Sequence, residues 1–172
     1  HRAAGSAAVL ELHGCLAAVA CVACGARESR AALQERLLAD NPGWAAGDYR
    51  SALATPDGDA AAEPPAEDSF RVPACAVCGG ILKPDVVFFG ESVPRERVEK
   101  AFAMLAQAET LLVAGSSLAV FSGYRFVLRA AEEGTPVAIV NQGPTRGDHL
   151  AAVRLEAPLG ETLSRLAERL AV

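Results

Sequence analysis

Thr110-Leu111-Leu112-Val113-Ala114-Gly115-Ser116-Ser117 is a short, mostly apolar, β-prone run broken by a glycine and two hydroxyls. The pattern returns at Pro136-Val137-Ala138-Ile139-Val140-Asn141-Gln142-Gly143. Between the two runs, residues 122–133 read as a helix closed by Gly134. Strand, helix and strand of these lengths predict a βαβ unit, hence parallel strands and a right-handed crossover. Sheets of this kind receive ligands beyond the carboxyl ends of their strands. That places Gly115-Ser116-Ser117 and Asn141-Gln142-Gly143 at the edge where a ligand would sit. Glycine lets the backbone come close, and hydroxyl and amide groups can bond phosphate or ribose. Taken alone, Gly-Ser-Ser also fits a plain turn.

Outward from this unit the chain keeps to the same plan. Residues 153–155 (Val-Arg-Leu) read as a short edge strand. Leu159-Gly160 leads into a C-terminal amphipathic helix with Leu163, Leu166 and Leu170 facing inward and Arg165, Glu168 and Arg169 outward. Upstream, Pro94 is expected at N1 of a helix that runs to about Ala108, with Val98, Phe102 and Leu105 as its apolar stripe. Val86-Val87-Phe88-Phe89, ahead of Gly90, reads as a strand buried on both faces. Residues 8–12 (Ala-Val-Leu-Glu-Leu) read as another buried strand, ending at His13-Gly14. His13 is a candidate catalytic residue at a strand end; the competing reading is a hydrogen-bonded histidine with no chemistry. His1 and His149 have no comparable context.

Four of the five cysteines fall in two C-x-x-C pairs, Cys21/Cys24 and Cys75/Cys78. This spacing lets a tight turn aim two thiolates at one ion, and two such pairs complete a closed, structural four-cysteine zinc site. Disulfides are disfavoured because the chain is not cysteine-dense and shows no export signal. Cys15 lies outside both pairs and reads as a small core residue. Between the pairs, residues 30–39 have helical periodicity through Leu33, Leu37 and Leu38, and Asn41-Pro42-Gly43 stops the helix. Residues 55–68 are rich in Pro, Asp, Gly, Glu and Ala and read as a solvated loop. Trp44 is expected to pack a small core.

Composition limits the function classes. The chain has 172 residues and a formal net charge of −5, with only two lysines, Lys83 and Lys100. No basic cluster is present, so nucleic acid is not an expected partner. No apolar run reaches the roughly 18 residues of a membrane helix, so no membrane association is expected, and cytoplasmic residence as a monomer is the expectation.

Glu11-Leu12-His13-Gly14, the two C-x-x-C pairs, Lys83-Pro84-Asp85-Val86-Val87-Phe88-Phe89-Gly90-Glu91, Val113-Ala114-Gly115-Ser116-Ser117-Leu118 and Ile139-Val140-Asn141 follow one another in the order seen in sirtuins. The chain resembles these NAD-dependent protein deacylases over nearly its whole length. His13-Gly14-Cys15, Pro56-Asp57-Gly58-Asp59, Ser122-Gly123-Tyr124-Arg125-Phe126 and Gly143-Pro144-Thr145-Arg146 look like the class II branch. That branch includes a mitochondrial member associated with lipoamidase and ADP-ribosyl-transfer activities.

The resemblance implies an α/β fold. Residues 1–14 and 86–172 would form a Rossmann-type parallel sheet that lacks its N-terminal strands, and residues 15–85 a small inserted zinc-binding module. It implies NAD and Zn2+ as cofactors and acyl-lysine proteins as substrates. His13 would be the general base on the NAD ribose hydroxyls, after the acyl oxygen displaces nicotinamide. The products would be nicotinamide, free lysine and O-acyl-ADP-ribose. Gly115, Ser116, Ser117, Asn141, Gln142, Gly143 and Leu159 would contact NAD. Val87, Phe88, Phe89 and Gly90 on one side, with Leu118 and Val120 on the other, would hold the substrate peptide by backbone pairing. Cys21, Cys24, Cys75 and Cys78 would hold the zinc. The family's Gly-Ala-Gly-Ile-Ser-type phosphate loop and Thr-Gln-Asn-Ile-Asp segment do not occur in this sequence, so it is expected to represent the C-terminal part of such an enzyme and to be inactive alone. Lys83 and Phe88 stand where other branches carry Arg and Trp, which leaves the acyl preference open. Two other readings stand beside deacylation: mono-ADP-ribosyl transfer as the main reaction, and a non-catalytic zinc-ribbon binding module.

Overall fold

The computed structural model describes residues 1–42 and 70–170. The chain divides into two compact units, His1–Leu12 with Ser92–Val172, and His13–Glu91.

The larger unit contains the predicted βαβ. Strand β4 (Leu111–Ala114) pairs in parallel with β5 (Val137–Val140), and β5 pairs in parallel with β6 (Val153–Leu155). The sheet order is β4-β5-β6, so each new strand joins the same edge. Helix α3 (Phe121–Glu132) makes the crossover from β4 to β5. It buries Tyr124, Val127 and Ala130, spaced three apart on one face. Its end is a Schellman turn: Thr135 N donates to Ala130 O at 2.8 Å and Gly134 N to Ala131 O at 3.3 Å. Gly134 sits at φ 74, a conformation that glycine adopts without steric penalty. Ile139, 0% exposed, centres a core shared with Val113, Leu118, Val127 and Val137.

The smaller unit is built on an antiparallel sheet of order β2-β1-β3, with β1 at Gly14–Cys21, β2 at Arg27–Ser29 and β3 at Leu82–Val86. Helix α1 (Arg30–Asp40) starts where the Ser29 hydroxyl accepts from Ala32 N at 3.0 Å. It ends at Asn41, which is 5% exposed; its side-chain amide donates to Leu37 O (2.9 Å) and Arg71 O (2.8 Å) and accepts from Arg71 N (2.6 Å). Trp44 and the loop at 55–68 lie outside the described residues.

Several expectations are corrected. Residues 8–12 form no strand: a strand is a paired state, and among the described residues no neighbouring strand takes up their backbone groups. Residues 86–89 are not a strand buried on both faces. β3 stops at Val86, belongs to the antiparallel sheet, and leaves Phe89 99% exposed. β1 was not expected at all. Its alanine-rich sequence has weak strand propensity, and it is made by the ladders to β2 and β3. Cys15 is half-buried on β1 rather than a core residue. Helix α2 (Arg95–Leu105) has Pro94 as N-cap, not N1, and ends three residues early. Helix α4 (Leu159–Leu170) forms as predicted, but Leu163, Leu166 and Leu170 are exposed rather than inward.

Candidate metal centre and ligand loops

The two cysteine pairs fold into near-copies of one turn. In the first, Gly25 N donates to Cys21 O (3.0 Å) and Cys21 N to Ala26 O (2.8 Å). In the second, Gly79 N donates to Cys75 O (2.8 Å) and Cys75 N to Gly80 O (2.8 Å). The glycine after each pair has almost the same positive φ, 72 for Gly25 and 73 for Gly79. The turns meet because β1 and β3 bring their ends together, with Val22 N donating to Ile81 O at 3.0 Å. The four Sγ atoms lie within 4.8 Å of one another. Cys21 and Cys78 sulfurs are 3.5 Å apart, and those of Cys24 and Cys75 3.8 Å. A tetrahedron with Zn–S bonds of about 2.3 Å has edges of about 3.8 Å, so the donor set fits zinc. Backbone N–H groups of Cys24 and Ala23 directed at the Cys21 sulfur bring its thiol down to about 6. Hydrogen bonding with the Cys24 sulfur pushes Cys78 up to about 12. Four confined sulfurs cannot all carry charge unless a cation neutralises them.

His13 opens the same unit. Its carbonyl accepts from Val87 N at 2.9 Å, and Gly14 follows at φ 82 with its α-carbon against the Asp85 carbonyl. The histidine side chain is exposed. Beyond Val87 the chain turns, and Glu91 clips that turn: its carboxylate accepts from Phe88 N (3.0 Å) and from Lys83 Nζ (2.6 Å), and its own N–H donates to Phe88 O (3.0 Å). The Lys83 ammonium lies 4.9 Å from the centre of the Phe88 ring. These contacts hold the Glu91 carboxyl below its ordinary range, Lys83 being the largest cause.

In the larger unit the two predicted loops come together at the carboxyl ends of β4 and β5. Gly115 N donates to Val140 O at 2.9 Å. Gly115, at φ 65, has the Leu159 side chain packed against its α-carbon, so Leu159 joins the loops at the start of α4. The Ser116 and Ser117 hydroxyls accept from Leu118 N (3.2 Å) and Ala119 N (3.4 Å), and Ser117 O accepts from Arg146 N (2.9 Å). Leu118 is buried at φ 56, a strained conformation for a residue with a branched side chain; Val120 is exposed. Buried Asn141 donates its N–H to Leu155 O (3.1 Å) and its amide Nδ2 to the carbonyls of Gln142 (2.9 Å) and Gly143 (3.0 Å).

Sequence reading missed the groups that support this loop. Arg154 in β6 donates from Nη2 to Gly143 O (2.9 Å) and pairs with Asp148 (3.1 Å) and Glu156 (3.1 Å). Asp148 accepts from Thr145 N (3.1 Å) and Thr145 Oγ1 (2.6 Å). Those bonds, the Thr145 hydroxyl first, hold the Asp148 carboxyl below its usual range. Thr145 and Asp148, three residues apart, bond each other locally across the turn that leads into residues 148–150.

Comparison with known proteins gives a consistent result. The Sir2 family model matches residues 1–122. An NAD-dependent protein deacetylase of Xanthomonas campestris pv. campestris (strain 8004) is 54% identical over 166 residues, 96% of this chain and 56% of that protein. NAD-dependent protein deacetylase 1 of Mycobacterium avium (strain 104) is 53% identical over 99% of this chain and 60% of its own length. A solved structure of Sir2 with a p53 peptide and NAD+ superimposes with a TM-score of 0.72 at 26% identity, covering 99% of this chain and 59% of that one. One of Sir2 bound to an acetylated peptide gives 0.73 at 25% identity, covering 99% and 59%. The chain thus spans little more than half the length of the relatives it matches.

Proposed function

This chain belongs to the Sir2 family, and from that premise we propose that the protein is an NAD-dependent protein-lysine deacylase that moves the acyl group to ADP-ribose and releases nicotinamide. The observation that carries the reading is the 54% identity to a bacterial NAD-dependent deacetylase across 96% of the chain. The geometry supports it from two sides. The unit holding β4 to β6 offers two glycine-containing loops at the carboxyl edge of a parallel sheet, the usual place for a nucleotide. The other unit offers four sulfurs at the spacing of a structural zinc.

NAD is consumed in this reaction and is treated as a substrate; it supplies the ribosyl carbon to which the acyl oxygen adds as nicotinamide leaves. Gly115, Ser116, Ser117, Asn141, Gln142, Gly143 and Leu159 are proposed to bind it, the last through apolar contact. His13 is proposed to accept the proton of a ribose hydroxyl, a task suited to a neutral imidazole nitrogen. Its backbone is held by the Val87 hydrogen bond and by the close approach of Gly14 to Asp85. Val87, Phe88, Phe89, Gly90, Leu118 and Val120 are proposed to contact the acyl-lysine segment. Cys21, Cys24, Cys75 and Cys78 would hold zinc in a closed site, leaving it a structural role.

The class II assignment, with mono-ADP-ribosyl transfer as the competing main reaction, rests on the sequence segments alone; Pro56-Asp57-Gly58-Asp59 lies outside the described residues. We also propose a cytoplasmic monomer acting on acyl-lysine proteins. Among the described residues no helix is long and apolar enough to cross a membrane.

The test is NAD-dependent nicotinamide release by the full-length protein against a panel of acyl-lysine peptides. Release that requires one class of acyl peptide and disappears in His13→Ala is the expected result. Adenylate label transferred from NAD to protein with no peptide consumed would favour ADP-ribosyl transfer. No NAD turnover by folded, zinc-loaded protein would sink the reading.

A further inference from the structure

The polar groups behind the Asn141 loop form one connected tie. The Gly143 carbonyl accepts twice, from Asn141 Nδ2 at 3.0 Å and from Arg154 Nη2 at 2.9 Å. That uses both of its lone pairs. The same guanidinium reaches Asp148 from Nε (3.1 Å) and Glu156 from Nη1 (3.1 Å). Asp148 in turn holds the Thr145 N–H and hydroxyl. One side chain therefore grips the loop near its start, at Gly143, and near its end, at Asp148. β6 carries that side chain in register opposite Ile139, the most buried residue of the sheet. Gly143 itself is at φ 79, a conformation that would otherwise exchange freely with others in a glycine.

We propose that Arg154 is a positioning residue for the dinucleotide site. By tying Gly143 to Asp148, it holds Asn141, Gln142 and Gly143 in the single arrangement that receives the adenosine end of NAD. The inference rests on the NAD reading above. Arginine suits the task because its planar fork serves three acceptors at fixed angles, which an ammonium on a flexible stem cannot do. Arg154 touches no reacting atom. Its effect is expected on nucleotide affinity and not on acyl-peptide recognition or on the chemical step, since preorganising a loop lowers the ordering cost of binding.

The test measures ADP-ribose binding by calorimetry, and KM for NAD and for acyl peptide, in the full-length protein. In Arg154→Met, the Kd for ADP-ribose and the KM for NAD are expected to rise about tenfold, the size of one lost charge-assisted hydrogen bond. The peptide KM and kcat are expected to stay within about twofold of wild type. Arg154→Lys is expected to recover only part of the affinity; full recovery would overturn the fork argument. Asp148→Asn removes the charge facing Arg154 and one of the two acceptor oxygens, the remaining oxygen still able to accept from Thr145 N and the amide to donate to Thr145 Oγ1. It is expected to weaken ADP-ribose binding about threefold, the scale of one half-exposed ion pair, and it stands in if Arg154→Met fails to fold. Wild-type ADP-ribose affinity in a folded Arg154→Met or Asp148→Asn protein overturns the proposal. So does a peptide KM that rises in step with that for NAD. Absence of ADP-ribose binding by the wild-type protein overturns the NAD reading itself, and this inference with it.

Discussion

The α-carbon of Gly14 rests against the backbone carbonyl of Asp85, and a β-carbon at Gly14 would overlap that carbonyl. The neighbour is backbone within a paired strand, so it cannot rotate away. Gly14 also sits at φ 82, which costs an L-residue about 1–2 kcal/mol on its own. Gly14→Ala is therefore expected to destabilise the protein by about 3 kcal/mol, or to displace β1 from β3. Thermal unfolding with circular dichroism measures this; a shift of only a degree or two would refute it. Gly115 makes a useful contrast, because the atom its β-carbon would meet is the far end of the Leu159 side chain, which can turn aside. Gly115→Ala is expected to cost about 1–2 kcal/mol, mostly from its φ of 65.

The sulfur geometry predicts one zinc per chain. Cys78→Ser, or dialysis against a strong chelator, is expected to remove the metal and to melt the unit containing β1 to β3, since the binding energy of a structural zinc is folding energy. Metal analysis and proteolysis check it together. Full metal occupancy in Cys78→Ser would exclude a four-cysteine site.

Ile139 lies at the centre of the larger unit, 0% exposed, beside Val127 and Val137. The β-carbon of an alanine at Gly147 would stand 2.8 Å from Leu118 Cδ1 and 3.4 Å from Ile139 Cδ1, so this core has no slack to take up a cavity. Ile139→Ala is expected to cost about 3 kcal/mol. Urea denaturation is the measurement, and a loss below about 1 kcal/mol would contradict the packing described.

Asp148 gives a pH signature. Its carboxyl is held below the ordinary range, the Thr145 hydroxyl contributing most and Arg154 less. A group depressed in the folded state stabilises fully above its unfolded pKa, about 4 for aspartate. The contribution is lost as pH falls through the lower folded value. The stability difference between wild type and Asp148→Asn is therefore expected to be constant from about pH 7 to pH 5 and to shrink below about pH 4. A difference that grows on acidification would reverse the sign of the argument.

The parallel sheet and the four-cysteine cluster were legible in the sequence because each is written locally. Leu111 to Ala114 and Val137 to Val140 announce themselves by continuous apolar character, and C-x-x-C by spacing. The misreadings share a cause, which is that pairing and exposure are decided elsewhere in the chain. Phe88 and Phe89 look like strand interior, yet the ladder stops at Val86 and Glu91 clips the turn that follows. Nothing local marks β1 as a strand, yet Val19 and Ala20 are paired on both sides, to β2 and to β3. Arg154 read as an ordinary edge-strand residue because nothing local reveals that Gly143 and Asp148 converge on it.

The contacts of Asn41 with Arg71 have a consequence for the chain length between them. One side-chain amide, bonded to both backbone groups of Arg71, fastens the two ends of the intervening segment to each other. The stem is closed whatever the span between contains. Lengthening a closed span is thermodynamically cheap, a doubling costing about 0.6 kcal/mol. Changing the length of chain between Asn41 and Arg71 is thus expected to leave the cysteine turns on either side in place.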